Sequence, residues 1–193
     1  MRKELHKYAQ VILKSGINVQ PGQDIIVFCD RHGVNLLEEI VKLSKDLCAG
    51  NVIPVSKDHV ISEMYRSKYL NSYNYNIALD RAISNGGAFI FINSCDYSIL
   101  KTGDITVPSL VNARRMNNNQ SVNNSQWVAC SVASEYWAIN VFTDSYGGVK
   151  ELWDVIFSCC RIYEEDPVLS WKEHLETLHA RSGLLNSYNR DSI

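Results

Sequence analysis

Two apolar stripes at helical spacing dominate the carboxy-terminal third of the chain. Leu152, Val155, Ile156, Cys159 and Ile162 form the first, a face that must meet a core. Asp166-Pro167 then interrupts the pattern, because Asp can accept from the free amides of a first turn and Pro fits the first helical position. Val168, Trp171, Leu175 and Leu178 make the second stripe, and Gly183 stands where the pattern predicts a helix stop. At the other end, Leu5, Tyr8, Ala9, Ile12 and Leu13 predict an amphipathic helix over Lys3 to Ser15, with Gly16 as a left-handed cap.

Between these ends the period changes. Asp24 to Cys29 holds the unbroken apolar run I-I-V-F, the signature of a strand covered on both faces. Leu37, Ile40, Val41, Ser44, Leu47 and Cys48 predict a helix closed by Gly50, and Val52 to Val55 a second strand. That strand, helix, strand order with short connections implies a right-handed parallel unit. Helices are expected over Asp58 to Leu70, Ile77 to Ser84, Pro108 to Met116 and Tyr136 to Phe142, and strands at Ala88 to Ile92 and Trp127 to Val132. Asn117 to Gln126 reads as a loop of high local mobility, and Tyr146-Gly147-Gly148 as a turn. The expected fold is α/β: one amino-terminal domain with an open, mainly parallel sheet and flanking helices over residues 1–145, and a carboxy-terminal helical pair over 146–193 packing on it.

Composition narrows the function classes. Among 193 residues, 46% are hydrophobic and 21% charged, ordinary for a globular chain. A formal net charge of -2 exerts no pull on phosphate backbones, so nucleic acid is not an expected partner. The apolar runs are far shorter than the roughly 20 residues that cross a bilayer, and M-R-K-E-L-H-K-Y lacks the apolar core of a signal peptide. A cytoplasmic chain without membrane contact is expected. The six cysteines include no C-x-x-C pair and read as small core residues.

Candidate chemistry is sparse. Ser170 to His174, S-W-K-E-H, misses H-x-x-E-H because its first position is Ser. His174 and His179, five apart, diverge by about 140° around a helix and are poorly placed to share an ion. Glu164, Glu165 and Asp166 are better read as charge at the start of the following helix than as a cation cage. Neither a nucleophile elbow nor a glycine-rich phosphate loop occurs. What remains is an edge: Cys29-Asp30 and Cys95-Asp96 each follow an apolar run, and ligands of parallel sheets bind at the carboxyl edge of the strands. Asp30, Arg31, His32, Ser94 and Asp96 are therefore the candidate pocket residues, although Asp and Ser also start turns for local reasons.

The ordered large residues L-W-x-x-I-F from Leu152, D-P-V-x-x-W-x-x-H-x-x-x-L from Asp166, and Leu185-Asn186 resemble the close of the amino-terminal half of the aminopeptidase T and aminopeptidase S group of metallopeptidases. Lys7-Tyr8-Ala9 and G-I-N-V-Q-P-G-Q from Gly16 to Gln23 are similar to that group's opening. The resemblance implies a cytoplasmic exopeptidase removing amino-terminal residues from peptides with two divalent ions, Zn²⁺, Co²⁺ or Mn²⁺. Its metal ligands lie in the second half, so no metal ligand, no catalytic residue and no bound ion is expected in these 193 residues. The chain is expected to be inactive alone, with the catalytic domain absent. Its expected partners are a peptide substrate, met through that domain, and further copies of itself in a homo-oligomer. A dimerisation module and a small-molecule binder at the sheet edge are the alternatives. One departure is Ala133-Ser134-Glu135, where the group usually has a P-T-P-like segment.

Overall fold

The computed structural model describes residues 1–56, 75–95, 125–142 and 147–190, with side chains through 188. In chain order these form α1 (Arg2–Val11), continued by a π-helical turn (Ile12–Gly16), β1 (Ile25–Phe28), a 3-10 turn (Arg31–Gly33), and α2 (Val34–Asp46). Next come β2 (Val52–Val55), α3 (Tyr75–Ser84), β3 (Ala88–Asn93), β4 (Trp127–Ser131), α4 (Glu135–Val141), α5 (Val149–Cys159) and α6 (Pro167–Arg190). The helices expected over Asp58 to Leu70 and Pro108 to Met116 lie outside the described residues, as does most of the Asn-rich loop.

The sheet order is β2-β1-β3-β4 and every described pairing is parallel. β1 sits inside the sheet, which explains its unbroken apolar sequence. Ile25 and Val27 enter the larger core with α1, α2 and α5, while Ile26 and Phe28 join a smaller one with Ile53, Tyr75, Ala82 and Phe89. Phe28 stacks on Phe91 across the β1/β3 pair, with centroids 5.0 Å apart. Pro54, which lacks a ladder donor, is tolerated because β2 is outermost among the described strands.

Three local expectations change. The left-handed residues near the first two helix ends are Asn18 (φ 44°) and Cys48 (φ 54°), not Gly16 and Gly50. Those glycines supply space instead: a Cβ on Gly16 would stand 2.9 Å from Val128 Cγ2, and one on Gly50 would collide with Asp24 Oδ1. The buried face of α5 is Leu152, Trp153, Ile156 and Phe157, with Val155 and Cys159 exposed. Aromatic area decides this rotation: Trp153 stacks on Phe157 at 5.0 Å, and Tyr8 meets Phe157 edge-on at 6.1 Å. Finally, α6 runs through Gly183 to Arg190, and Leu175 and Leu178 are exposed. One interior glycine costs a helix only about 1 kcal/mol, too little to end this one.

α1 and α2 are tied through Glu39, a buried carboxylate reached by Lys42 Nζ at 2.7 Å, His6 Nδ1 at 3.3 Å and Arg2 Nε at 3.9 Å. The Lys42 hydrogen bond, with His6 adding to it, holds the carboxyl below its ordinary value against the opposing effect of burial. Its contribution is present above the unfolded value of 4.5 and is lost as pH falls through the lower folded value. Glu39→Gln should therefore lower the urea midpoint at neutral pH and flatten its decline between about pH 5 and pH 3. In the core, Phe157→Ala should cost about 3–5 kcal/mol in urea unfolding, whereas Leu185→Ala, at an exposed position, should stay within about 0.5 kcal/mol of the parent.

Candidate functional site at the carboxyl edge of the sheet

Strand order reverses between β1 and β3: the chain moves from β1 outward to β2, then returns to the other side of β1. In open α/β sheets this reversal opens a crevice at the carboxyl ends of the strands. Asp30 follows β1 there and Ser94 follows β3, so the fold brings the first and fourth of the candidate residues into contact. Ser94 Oγ donates to Asp30 Oδ2 at 2.5 Å, and Asp30 Oδ1 accepts from the His32 amide at 2.9 Å. Arg31 is exposed and His32 half-buried on the same turn. Asp96 lies outside the described residues.

Ser134 extends the contact to β4, a role that sequence reasoning missed. Its hydroxyl donates to the Ser94 carbonyl at 2.8 Å and accepts from the Trp137 amide at 3.2 Å, capping α4. The Ser before Glu135 carried the signal, a favoured helix cap. Ser94 and Ser134 are each 1% exposed, so this chain of hydrogen bonds joins three loops from within. Chemically it offers one half-buried carboxylate, with each oxygen already accepting once.

The thiols nearby are not poised for nucleophilic work. Burial, with Asp30 adding to it, pushes Cys29 up to about 12, and burial, then Cys160 and Cys29, pushes Cys130 well above its ordinary value. Both stay protonated at neutral pH and behave as core residues. At the opposite edge of the sheet, a polar cleft of about 260 Å³ is lined by Gln23, Asp24, Asn51, Arg81 and Asn85 among others. There Asp24 Oδ1 accepts from the Asn51 amide at 2.6 Å, which locks the turns entering β1 and β2.

The carboxy-terminal motifs are structural in their geometry. Asp166 Oδ1 accepts from the Leu169 amide at 3.0 Å, Trp171 Nε1 donates to the Cys160 carbonyl at 2.8 Å, and His174 lies against the Trp171 ring with Nδ1 3.4 Å from an Arg161 guanidinium nitrogen. Lys7 Nζ donates to the Glu164 carbonyl at 2.6 Å, and the Tyr8 hydroxyl both donates to and accepts from the Ser131 backbone at 3.2 Å. Thus Lys7-Tyr8 joins the turn between α5 and α6 to the end of β4. Among the described residues, no three His, Cys, Asp or Glu side chains converge as ion ligands. The donors in view do not fit a two-ion centre.

The sequence model of the thermophilic metalloprotease (M29) family matches residues 1–193. The chain belongs to that M29 family. Aminopeptidase 2 of Geobacillus stearothermophilus is 29% identical over 203 residues, which cover 96% of this M29 chain and 48% of that protein. Aminopeptidase PepS of Streptococcus thermophilus is 28% identical over 204 residues, again 96% and 48%. The structure of wild-type AmpT from Thermus thermophilus superposes with a TM-score of 0.66 at 18% identity, covering 96% of this chain and 49% of that one, and shares the fold. The chain spans about half the length of the curated M29 relatives it matches. No described helix is long and apolar enough to cross a membrane.

If the Asp30, Ser94 and Ser134 chain braces the edge, Ser94→Ala should cost about 1.5–3 kcal/mol in urea unfolding, the range for a hydrogen bond to a charged group. A cycle with Asp30→Asn should show the two effects to be coupled by about 1 kcal/mol, and strict additivity would refute the brace.

Proposed function

We propose that this chain supplies the amino-terminal α/β portion of a metal-dependent aminopeptidase, which removes amino-terminal residues from peptides. It provides scaffold and substrate enclosure, while the ligands for two divalent ions come from residues outside 1–193. One observation carries the reading: family similarity runs the whole length of the chain and aligns it with about half of proteins named aminopeptidases. In this reading Asp30, Arg31 and His32 at the carboxyl edge face the peptide, with the buried Ser94 bracing them from behind, and Asp96 joins them by its place in the sequence after the β3 run. Asp30 holds its loop in place and is the half-buried carboxylate that this edge offers to a cationic group such as a peptide amino terminus. We place the chain in the cytoplasm as part of a homo-oligomer; the free thiols described, Cys29 and Cys130 among them, are consistent with a reducing compartment.

Metal analysis and an aminoacyl reporter test this directly. Purified protein of these 193 residues should retain no stoichiometric Zn²⁺, Co²⁺ or Mn²⁺ after dialysis and release no amino acid. Adding the other half of a family member should restore both. Two tightly held ions and hydrolysis by this chain alone would overturn the reading.

A further inference from the structure

The polar cleft at the amino edge of the sheet lies at the opposite end of the strands from Asp30 and takes no part in the reading above. Its walls are held by backbone hydrogen bonds. The Gly22 amide donates to the Cys48 carbonyl at 2.7 Å, the Gly50 amide to the Gln23 carbonyl at 2.8 Å, and the Ala88 amide to the Asp24 carbonyl at 2.9 Å. Gly87 passes so close to the end of α3 that a Cβ on it would stand 2.8 Å from the Ala82 carbonyl oxygen. A cleft built this way spares a ligand the cost of ordering loops.

Two opposite charges line this cavity without neutralising each other. Asp24 and Arg81 both border it, yet among the described residues no ion pair joins them, and the exposed Arg81 guanidinium has no hydrogen-bond partner. Both bonds to the half-buried Asp24 carboxylate, from the Asn51 amide at 2.6 Å and its Nδ2 at 3.2 Å, go to Oδ1, which leaves Oδ2 unused. A guanidinium fork fits a carboxylate, and a carboxylate oxygen fits an ammonium. α3 also ends at this cleft, at Ala82 and Asn85, and the carboxyl end of a helix favours a cation. A lone anion would meet Asp24, and a lone cation would meet Arg81. At about 260 Å³ the cavity is smaller than the roughly 300–1,000 Å³ that houses drug-sized ligands. We propose that this cleft binds a small zwitterion, a free amino acid or a dipeptide, with its carboxylate on Arg81 and its ammonium on Asp24. Free amino acids are what an aminopeptidase releases; that link rests on the reading above, whereas the binding rests on the cleft.

The test titrates the purified chain with L-glutamine and with glycylglycine by isothermal calorimetry, beside N-acetyl-glutamine, which lacks the ammonium, and glutamine amide, which lacks the carboxylate. The expected result is one site with a Kd of about 1 mM or tighter for at least one zwitterion, and binding at least about tenfold weaker for both blocked analogues. Preference for glutamine or for glycylglycine tells the free amino acid from the dipeptide. Arg81→Ala, at an exposed position, should weaken binding by about tenfold or more with helix content unchanged by circular dichroism, and Arg81→Lys should recover part of it. Asp24→Asn, which keeps an oxygen for the Asn51 amide, should weaken the zwitterion and leave glutamine amide without any binding. Three results overturn the proposal: no heat from either zwitterion at about 10 mM; a blocked analogue that binds as tightly as its parent; or binding indifferent to both Arg81→Ala and Asp24→Asn. No step of the titration uses hydrolysis, so its failure is distinct from failure of the aminopeptidase reading, which the metal and reporter assays decide.

Discussion

Burial of β1 on both faces is the constraint from which the architecture follows. Four consecutive apolar residues, Ile25 to Phe28, leave no side of the strand that can face water, so a layer must cover each surface of the sheet. Parallel neighbours on both sides follow from the same demand, because crossover helices are what supply those layers. The carboxyl ends of β1 and β3 then lie side by side at the point where the strand order reverses.

A second set of contacts closes the structure around that sheet. Residues far apart in sequence meet at one seam: Tyr8 from α1, Ser131 from β4, and Phe157 from α5. Lys7 binds the carbonyls that end the α5 region, and Trp171 binds the one at Cys160. The Lys-Tyr-Ala segment near the start and the Asp-Pro-Val-x-x-Trp segment near the end are therefore two parts of one junction. Their agreement with the family reflects how the helical pair is attached to the sheet, a question separate from catalysis.

At the carboxyl edge the residues that follow the strands brace one another. Ser94 and Ser134 are fully enclosed and hold three loops together, while Asp30, at the end of the same chain, is half-buried. Rigid support of this kind is what a binding surface needs if its polar groups are to be held in place before a ligand arrives.

The sequence by itself determined the fold class and most of the elements. Unbroken apolar runs and helical stripes report burial directly, and Asp166-Pro167 marks a helix start through chemistry local to that turn. It also carried the family likeness and placed Asp30, Arg31, His32, Ser94 and Asp96 as candidates at the sheet edge, since they follow strands; that Ser94 bonds Asp30 is a finding of the structure. Only the tertiary structure decided which face of α5 is buried, because Val155 and Phe157 compete for the core through partners such as Tyr8 that lie more than a hundred residues away. It likewise decided that Gly16 and Gly50 make room for Val128 and Asp24 where the pattern suggested turns, that α6 continues through Gly183, and that Ser134 joins Ser94. Each of these depends on distances between segments remote in the chain, which a one-dimensional period cannot encode.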